Sequence, residues 1–226
     1  MIKVKICGIT RLDDALVAQD AGADALGFIF VEGTPRYVEP ERAASIIAAL
    51  DPFVCAVGVF WNHPIDHVTR VAAECGLGAV QLHGSESPEV VAASPRPVVK
   101  TVKVGGPNDL AMLDRYKPAA FLLDSPARWS EGERRPSIPW LLVRSAAARA
   151  RVILSAGLTP QNVGEAIREA RPWGVDVNSG VEATPGRKDP VKVRRFIRAA
   201  RLAADRLGDP PTSSGGSGES DGPRDG

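Results

Sequence analysis

Eight times along this chain a short apolar or β-branched run is followed by Gly, Ser, Thr, Asp or Pro, and then by an amphipathic segment. The strand-like runs are Lys3–Ile6, Ala25–Phe30, Val54–Phe60, Ala79–Leu82, Val98–Val102, Ala120–Leu123, Val152–Leu154 and Val175–Val177. The helix-like segments cover residues 11–21, 40–50, 65–75, 87–93, 108–116, 138–149, 160–170 and 189–206. Thr159-Pro160 and Ser87-Pro88 read as N-cap and first helical residue, and Pro40 fits the same place, because a first turn does not use the missing proline N–H. Such alternation predicts parallel strands joined by helical crossovers.

Two architectures satisfy it, an open doubly wound sheet and a closed barrel. The open dinucleotide-binding sheet carries Gly-x-Gly-x-x-Gly after its first strand. Here that strand runs into Ile6-Cys7-Gly8-Ile9-Thr10, which does not match. Eight units in about 207 residues favour closure. The expected fold class is therefore α/β, a single (β/α)8 TIM barrel over residues 1–207.

The remaining stretch, 208–226, has thirteen Gly, Pro or Ser among nineteen residues, four acids and one base. Lacking aliphatic and aromatic side chains, it cannot offset its ordering entropy and is expected to be a disordered acidic tail. The formal net charge of +1 for all 226 residues thus hides a body with 27 bases and 23 acids. A charge so near neutral argues against nucleic acid or an anionic membrane as partner. The longest apolar run, Phe53–Trp61, is too short to span a bilayer, and Lys3, Lys5 and Arg11 interrupt any leader-like start. The expected address is cytoplasmic. Three cysteines (7, 55, 75) and three histidines (63, 67, 83) have neither disulfide-framework nor zinc spacing, so no metal is expected. Oligomeric state leaves no signal.

A barrel of this kind holds its active site at the C-terminal strand ends. Those ends carry Cys7, the loop Thr34-Pro35-Arg36-Tyr37, Gln81 and His83, Asp124, Ser155–Gly157, and Asn178–Gly180. Period-2 alternation puts Lys3, Lys5 and Cys7 on one face, as it does Gln81 with His83 and Asp176 with Asn178. Buried polar residues in that pattern are costly unless paired or functional. Around Gly157, Ser179 and Gly180 the late loops together suit a phosphate, since small residues let backbone N–H groups approach an anion; either glycine alone is better read as a tight-turn residue. Cys7 and Asp124 are candidates for a general base and a general acid. A nearby cation such as Lys5 would make the thiol a usable base by lowering its pKa. A buried structural cysteine and a capping carboxylate are the plain alternatives. Arg36 could clamp a carboxylate bidentately, or simply be a solvated loop charge.

Taken in order, several stretches resemble the phosphoribosylanthranilate isomerase family. They are Val4-Lys5-Ile6-Cys7-Gly8-Ile9-Thr10, Gly22–Phe30, Thr34-Pro35-Arg36-Tyr37-Val38, Val57-Gly58-Val59-Phe60, Gln81-Leu82-His83-Gly84 and Leu122-Leu123-Asp124. Gly157-Leu158-Thr159-Pro160-Gln161-Asn162-Val163, Gly174–Glu182 and Pro185-Gly186-Arg187-Lys188-Asp189 complete the set, spanning roughly residues 2–202. The resemblance implies a cofactor-free Amadori rearrangement of N-(5-phosphoribosyl)anthranilate, a phosphorylated small molecule, to 1-(2-carboxyphenylamino)-1-deoxyribulose 5-phosphate in tryptophan biosynthesis. It implies Asp124 as general acid toward the ribose ring oxygen and Cys7 as general base toward the C2 proton. Arg36 would hold the anthranilate carboxylate, and Gly157, Ser179 and Gly180 the phosphate. Gln81, His83 and Asp176 face the site with no assigned step.

One departure is the loop after the sixth strand, where the family's small-residue run is replaced by Trp129-Ser130-Glu131-Gly132-Glu133-Arg134-Arg135. This predicts a less pliable, differently charged loop. Ala156 stands where the family commonly has glycine. A related sugar-phosphate barrel isomerase or epimerase would share the phosphate loops without needing Arg36, and a non-catalytic binding barrel would need neither Cys7 nor Asp124.

Overall fold

A computed structural model describes residues 1–126 and 138–208. Its strands are β1 (Lys3–Cys7), β2 (Ala25–Ile29), β3 (Cys55–Phe60), β4 (Ala79–Leu82), β5 (Val98–Lys103), β6 (Ala120–Asp124), β7 (Val152–Leu154) and β8 (Gly174–Val177). They pair in parallel, each with the next, and β8 returns to β1 with Lys5 opposite Asp176, so the sheet is a closed barrel. The helices are α1 (Leu12–Asp20), α2 (Pro40–Ile47), α3 (Ile65–Glu74), α4 (Pro88–Ala92), α5 (Met112–Arg115), α6 (Trp140–Ala147), α7 (Val163–Ala170) and α8 (Pro190–Gly208). This is the (β/α)8 barrel that the alternation predicted.

Strand alternation sorts the core into two layers. On β6, Phe121 and Leu123 join the large cluster between sheet and helices, whereas Ala120 and Leu122 pack inside the barrel with Ile153 and Val99. Closure depends on α8, whose Val193, Phe196, Ile197, Ala200 and Ala203 are buried at helical spacing. From α8, Arg201 donates to the Ile2 carbonyl, to the Gly22 carbonyl at 2.8 Å and to Asp24 Oδ2 at 2.7 Å, which ties the last helix to the first strand. A buried polar group sits in the outer layer too. Lys100 donates to Glu86 Oε2 at 2.8 Å, and Glu86 Oε1 accepts from the N–H groups of Asn62 (2.9 Å) and Gly84 (3.0 Å). That network joins the loops after β3 and β4.

Several boundaries differ from expectation. Ser87 does cap α4, accepting from the Val90 N–H at 3.5 Å. Helix α7, however, starts at Val163 behind Asn162, not at Pro160. Thr159 and Pro160 belong to the preceding loop, where the Thr159 N–H donates to Asn162 Oδ1 (2.8 Å) and Asn162 Nδ2 to the Gly157 carbonyl (2.9 Å). The segment 108–116 is a 3₁₀ turn, Pro107–Ala111, followed by the single turn α5. Strand β2 stops before Phe30, while β5 and β6 each run one residue further, to Lys103 and Asp124. A hairpin of β9 (Glu182–Thr184) and β10 (Arg187–Lys188) follows a 3₁₀ turn at Ser179–Val181 and was not foreseen. Gly208, the first residue of the expected tail, closes α8; the rest of the tail, and the altered loop apart from Ser125 and Pro126, lie outside the described residues.

Candidate active site

At the C-terminal strand ends the predicted residues do assemble, though with partners the sequence did not announce. Cys7 ends β1 and is 5% exposed. Directly after it Gly8 has φ +75°, and a Cβ there would come within 2.6 Å of Asn178 Oδ1, so glycine is required where β1 meets the loop after β8. Lys5 does not reach the mouth. It is buried one layer below, its Nζ 2.7 Å from Asp176 Oδ1, and Ser155 Oγ lies 3.3 Å from the other Asp176 oxygen. Burial opposes the charge of Lys5, but Asp176 and Cys7 outweigh it and hold the ammonium above the ordinary lysine range.

The Cys7 thiol correspondingly differs from expectation. Burial pushes its pKa up; Lys5 pulls it down, Asp176 pushes it up again, and Lys188 pulls it down. Burial prevails, because the charge of Lys5 is largely spent on Asp176. Lys188, on β10, is itself buried, and its Nζ donates to Asn178 Oδ1 at 2.9 Å and to Glu182 Oε1 at 3.1 Å. Burial lowers its pKa despite the opposing pull of Glu182.

Arg36 is no solvated loop charge. Its Nε and Nη2 grip Glu182 at 2.9 and 2.6 Å, and its side chain is 11% exposed. Burial tends to raise the Glu182 carboxyl, but Arg36 and Lys188 together hold it below the usual range. The hairpin reaches this cluster because Gly186, at φ +80°, packs where a Cβ would lie 2.5 Å from the Pro35 carbonyl. Thr10 Oγ1 completes the junction by donating to the Gly186 carbonyl at 2.7 Å.

The two late loops touch. A Cβ on Gly180 would lie 1.9 Å from the Leu158 carbonyl oxygen, so the loops after β7 and β8 share one wall. Ala156 and Gly157 both have left-handed backbone, at φ +71° and +67°. For alanine that conformation is strained, by about 1–2 kcal/mol. Ala156→Gly relieves the strain while raising unfolded-state entropy, for a net gain of about 0.5–1 kcal/mol and a Tm increase of about 1–4 °C. Thermal unfolding checks it, and a lower Tm contradicts the reading of strain.

On the far side Asp124 ends β6, 2% exposed, with Oδ1 accepting from the Ser125 N–H at 2.9 Å. Lys103, opposite it in the β5–β6 register, contacts Asp124 Oδ2 through Nζ. Nζ also lies 3.0 Å from His83 Nε2. Gln81 Nε2 lies 2.9 Å from His83 Nδ1 and 3.3 Å from Thr101 Oγ1, which leaves Gln81 Oε1 buried without a partner among the described residues. The Trp61 ring covers His83 at 5.5 Å between centroids. Burial lowers the His83 pKa, with Asp124 opposing and Lys103 assisting, which favours the neutral ring.

Sequence reasoning thus missed Lys103, Thr101, Trp61, Glu182 and Lys188. Lys103 and Thr101 continue the inward alternation from Val99 and were within reach; Glu182 and Lys188 needed the hairpin. Among the described residues no group of His, Cys, Asp and Glu is arranged to hold a metal ion. A cavity of about 380 Å³, lined by Lys3, Lys5, Phe53, Val99, Arg151 and Trp173 among others, lies at the opposite, N-terminal strand ends, and neither Cys7 nor Asp124 lines it.

A closed barrel with a thiol, a carboxyl, an imidazole and two touching glycine loops at its C-terminal mouth is the framework of a (β/α)8-barrel enzyme. Residues 4–199 match the model of the N-(5'-phosphoribosyl)anthranilate (PRA) isomerase family, and the chain belongs to that family. It is 50% identical over 201 residues to N-(5'-phosphoribosyl)anthranilate isomerase of Pelobacter propionicus, covering 89% of this chain and 96% of that one. The solved phosphoribosyl anthranilate isomerase of Thermotoga maritima superposes with a TM-score of 0.84 at 42% identity, over 89% of this chain and all of that one. A phosphoribosyl anthranilate isomerase solved with reduced 1-(o-carboxyphenylamino)-1-deoxyribulose 5-phosphate gives 0.81 at 41% identity, again over 89% and 100%. The chain is accordingly an isomerase of tryptophan biosynthesis acting on a phosphorylated small molecule. No helix among the described residues is long and apolar enough to cross a membrane.

Proposed function

We propose that the rearrangement of N-(5-phosphoribosyl)anthranilate runs between Asp124 and Cys7 across the barrel mouth. Asp124 gives a proton to the ribose ring oxygen; the C1–O bond breaks as the anilino nitrogen lone pair forms C1=N. Cys7, its thiol proton passed to water, then takes the C2 proton as thiolate; the C2–H electrons form C1=C2 as the C1=N π pair returns to nitrogen, giving the enolamine. Loss of the enol proton and protonation of C1 yield the aminoketone product. The observation that carries this assignment is the burial of one acid and one base at the ends of β1 and β6 within one mouth. A thiol held protonated by burial ionises more readily once the Schiff-base cation forms beside it, since a nearby positive charge favours the thiolate and so makes the base available.

The anions of the substrate have separate berths in this reading. Gly157, Ser179 and Gly180 receive the phosphate, because the loops after β7 and β8 meet there. Arg36 receives the anthranilate carboxylate, with Glu182 fixing its plane. Asp176 orients Lys5 rather than touching substrate. A cytoplasmic address suits a phosphorylated biosynthetic substrate, which does not cross membranes unaided.

Rescue of a tryptophan auxotroph lacking this isomerase tests the function. The wild-type chain is expected to restore growth without tryptophan, and soluble expression without rescue overturns the reading.

A further inference from the structure

A general acid needs a proton to give, and the surroundings of Asp124 favour its ionised form. Oδ1 accepts from a backbone N–H and Oδ2 meets an ammonium, and both contacts stabilise a carboxylate. In the contact with Oδ2 Lys103 is the donor, through Nζ. Its side chain is 36% exposed against 3% for Asp124, so it bridges a buried carboxyl and bulk water. Its position is held from three elements: Asp124 on β6, His83 after β4, and the Trp61 ring after β3, 6.0 Å from Nζ.

The histidine is set up to receive Nζ and not to compete with it. If the His83 proton sits on Nδ1, then Nε2 accepts from Lys103. Turning the Gln81 amide over brings Oε1 to Nδ1–H and gives that otherwise unpartnered oxygen its hydrogen bond. Among the described residues the titratable groups facing Lys103 are Asp124 and His83, with Lys5 acting on His83 from further inside the barrel.

We propose that Lys103 is the positioning residue that supplies the proton Asp124 delivers. In the substrate complex an Nζ–H bond breaks as Asp124 Oδ2 gains the proton, and Asp124 passes a proton to the ring oxygen as C1–O breaks. The Lys103–Asp124 pair goes from neutral to one negative charge while the substrate gains the positive charge of its C1=N bond. Water then reprotonates Lys103. The inference rests on the isomerase reading above.

The test compares full-length wild type, Lys103→Met and Lys103→Arg in the isomerisation assay across pH, with thermal unfolding as a fold check. Arginine keeps the charge but does not release a proton in this range. Both variants are expected to lose about 100-fold in kcat at neutral pH with little change in KM. In Lys103→Met the alkaline limb moves to the carboxyl range, because only Asp124 can then hold the proton. In an Asp124→Asn background neither substitution adds a further loss. Full kcat in Lys103→Arg, or an unmoved profile in Lys103→Met, overturns the inference while wild-type turnover leaves the isomerase reading intact. Absence of turnover in wild type overturns the reading itself.

Discussion

Cys7→Ala is expected to lower kcat by about 10²–10⁴-fold, the usual contribution of a general base, and to leave KM nearly unchanged. Alanine removes only the sulfur from a buried strand end; the sulfur belongs to no disulfide, and Lys5, which hydrogen-bonds it, keeps its ion pair with Asp176. Ring opening and phosphate binding use other groups, so the defect falls on C2 deprotonation. A deuterium label at C2 of the substrate reads that step, and its exchange with solvent is expected to vanish. The pH dependence has a definite sign. A base works deprotonated, so kcat/KM of the wild type rises with pH through the Cys7 pKa, which burial raises in the free protein despite Lys5 and Lys188. The ascending limb therefore lies on the alkaline side of an ordinary thiol. Wild-type kcat in Cys7→Ala would return this residue to its plain structural alternative.

Asp124→Asn removes a transferable proton at constant shape, and a comparable loss of about 10²–10⁴-fold in kcat is expected. The retained Oδ1 still accepts from the Ser125 N–H, so the strand end is not disturbed. Lys103 loses its anionic partner, but with a side chain 36% exposed it turns to water at small cost to stability. The two effects are separable, because kcat falls by orders of magnitude while Tm shifts little. A substrate whose ring is already open would bypass Asp124 and be processed by the variant at near wild-type rate. Loss of that bypass would mean that Asp124 serves more than ring opening.

How much of the site was legible can be followed residue by residue. Cys7 and Asp124 terminate apolar runs, and a polar residue at the end of a buried strand shows in one dimension. Gly157 and Gly180 stood out because small residues at loop tips are informative. The ion pairs did not show. Lys5 and Asp176 are 171 positions apart and become neighbours only because β8 closes onto β1. The thiol-lowering role expected of Lys5 failed for the same reason, since its charge is answered by a residue that chain order keeps remote.

Arg36 illustrates the same division. Its loop and its chemistry were visible, but Glu182 reaches it through a hairpin, residues 182–188, whose strands are too short to register as a pattern. By itself, the order of apolar runs and helical segments determined eight α/β units with parallel strands and which residues stand at the strand ends, because both follow from local periodicity. Only the tertiary structure decided which of those residues hold protons and which are spent on each other, because burial and charge pairing are properties of distance through space. Closing the barrel makes residues from β1 and β8, and from β5 and β6, share one low-dielectric mouth.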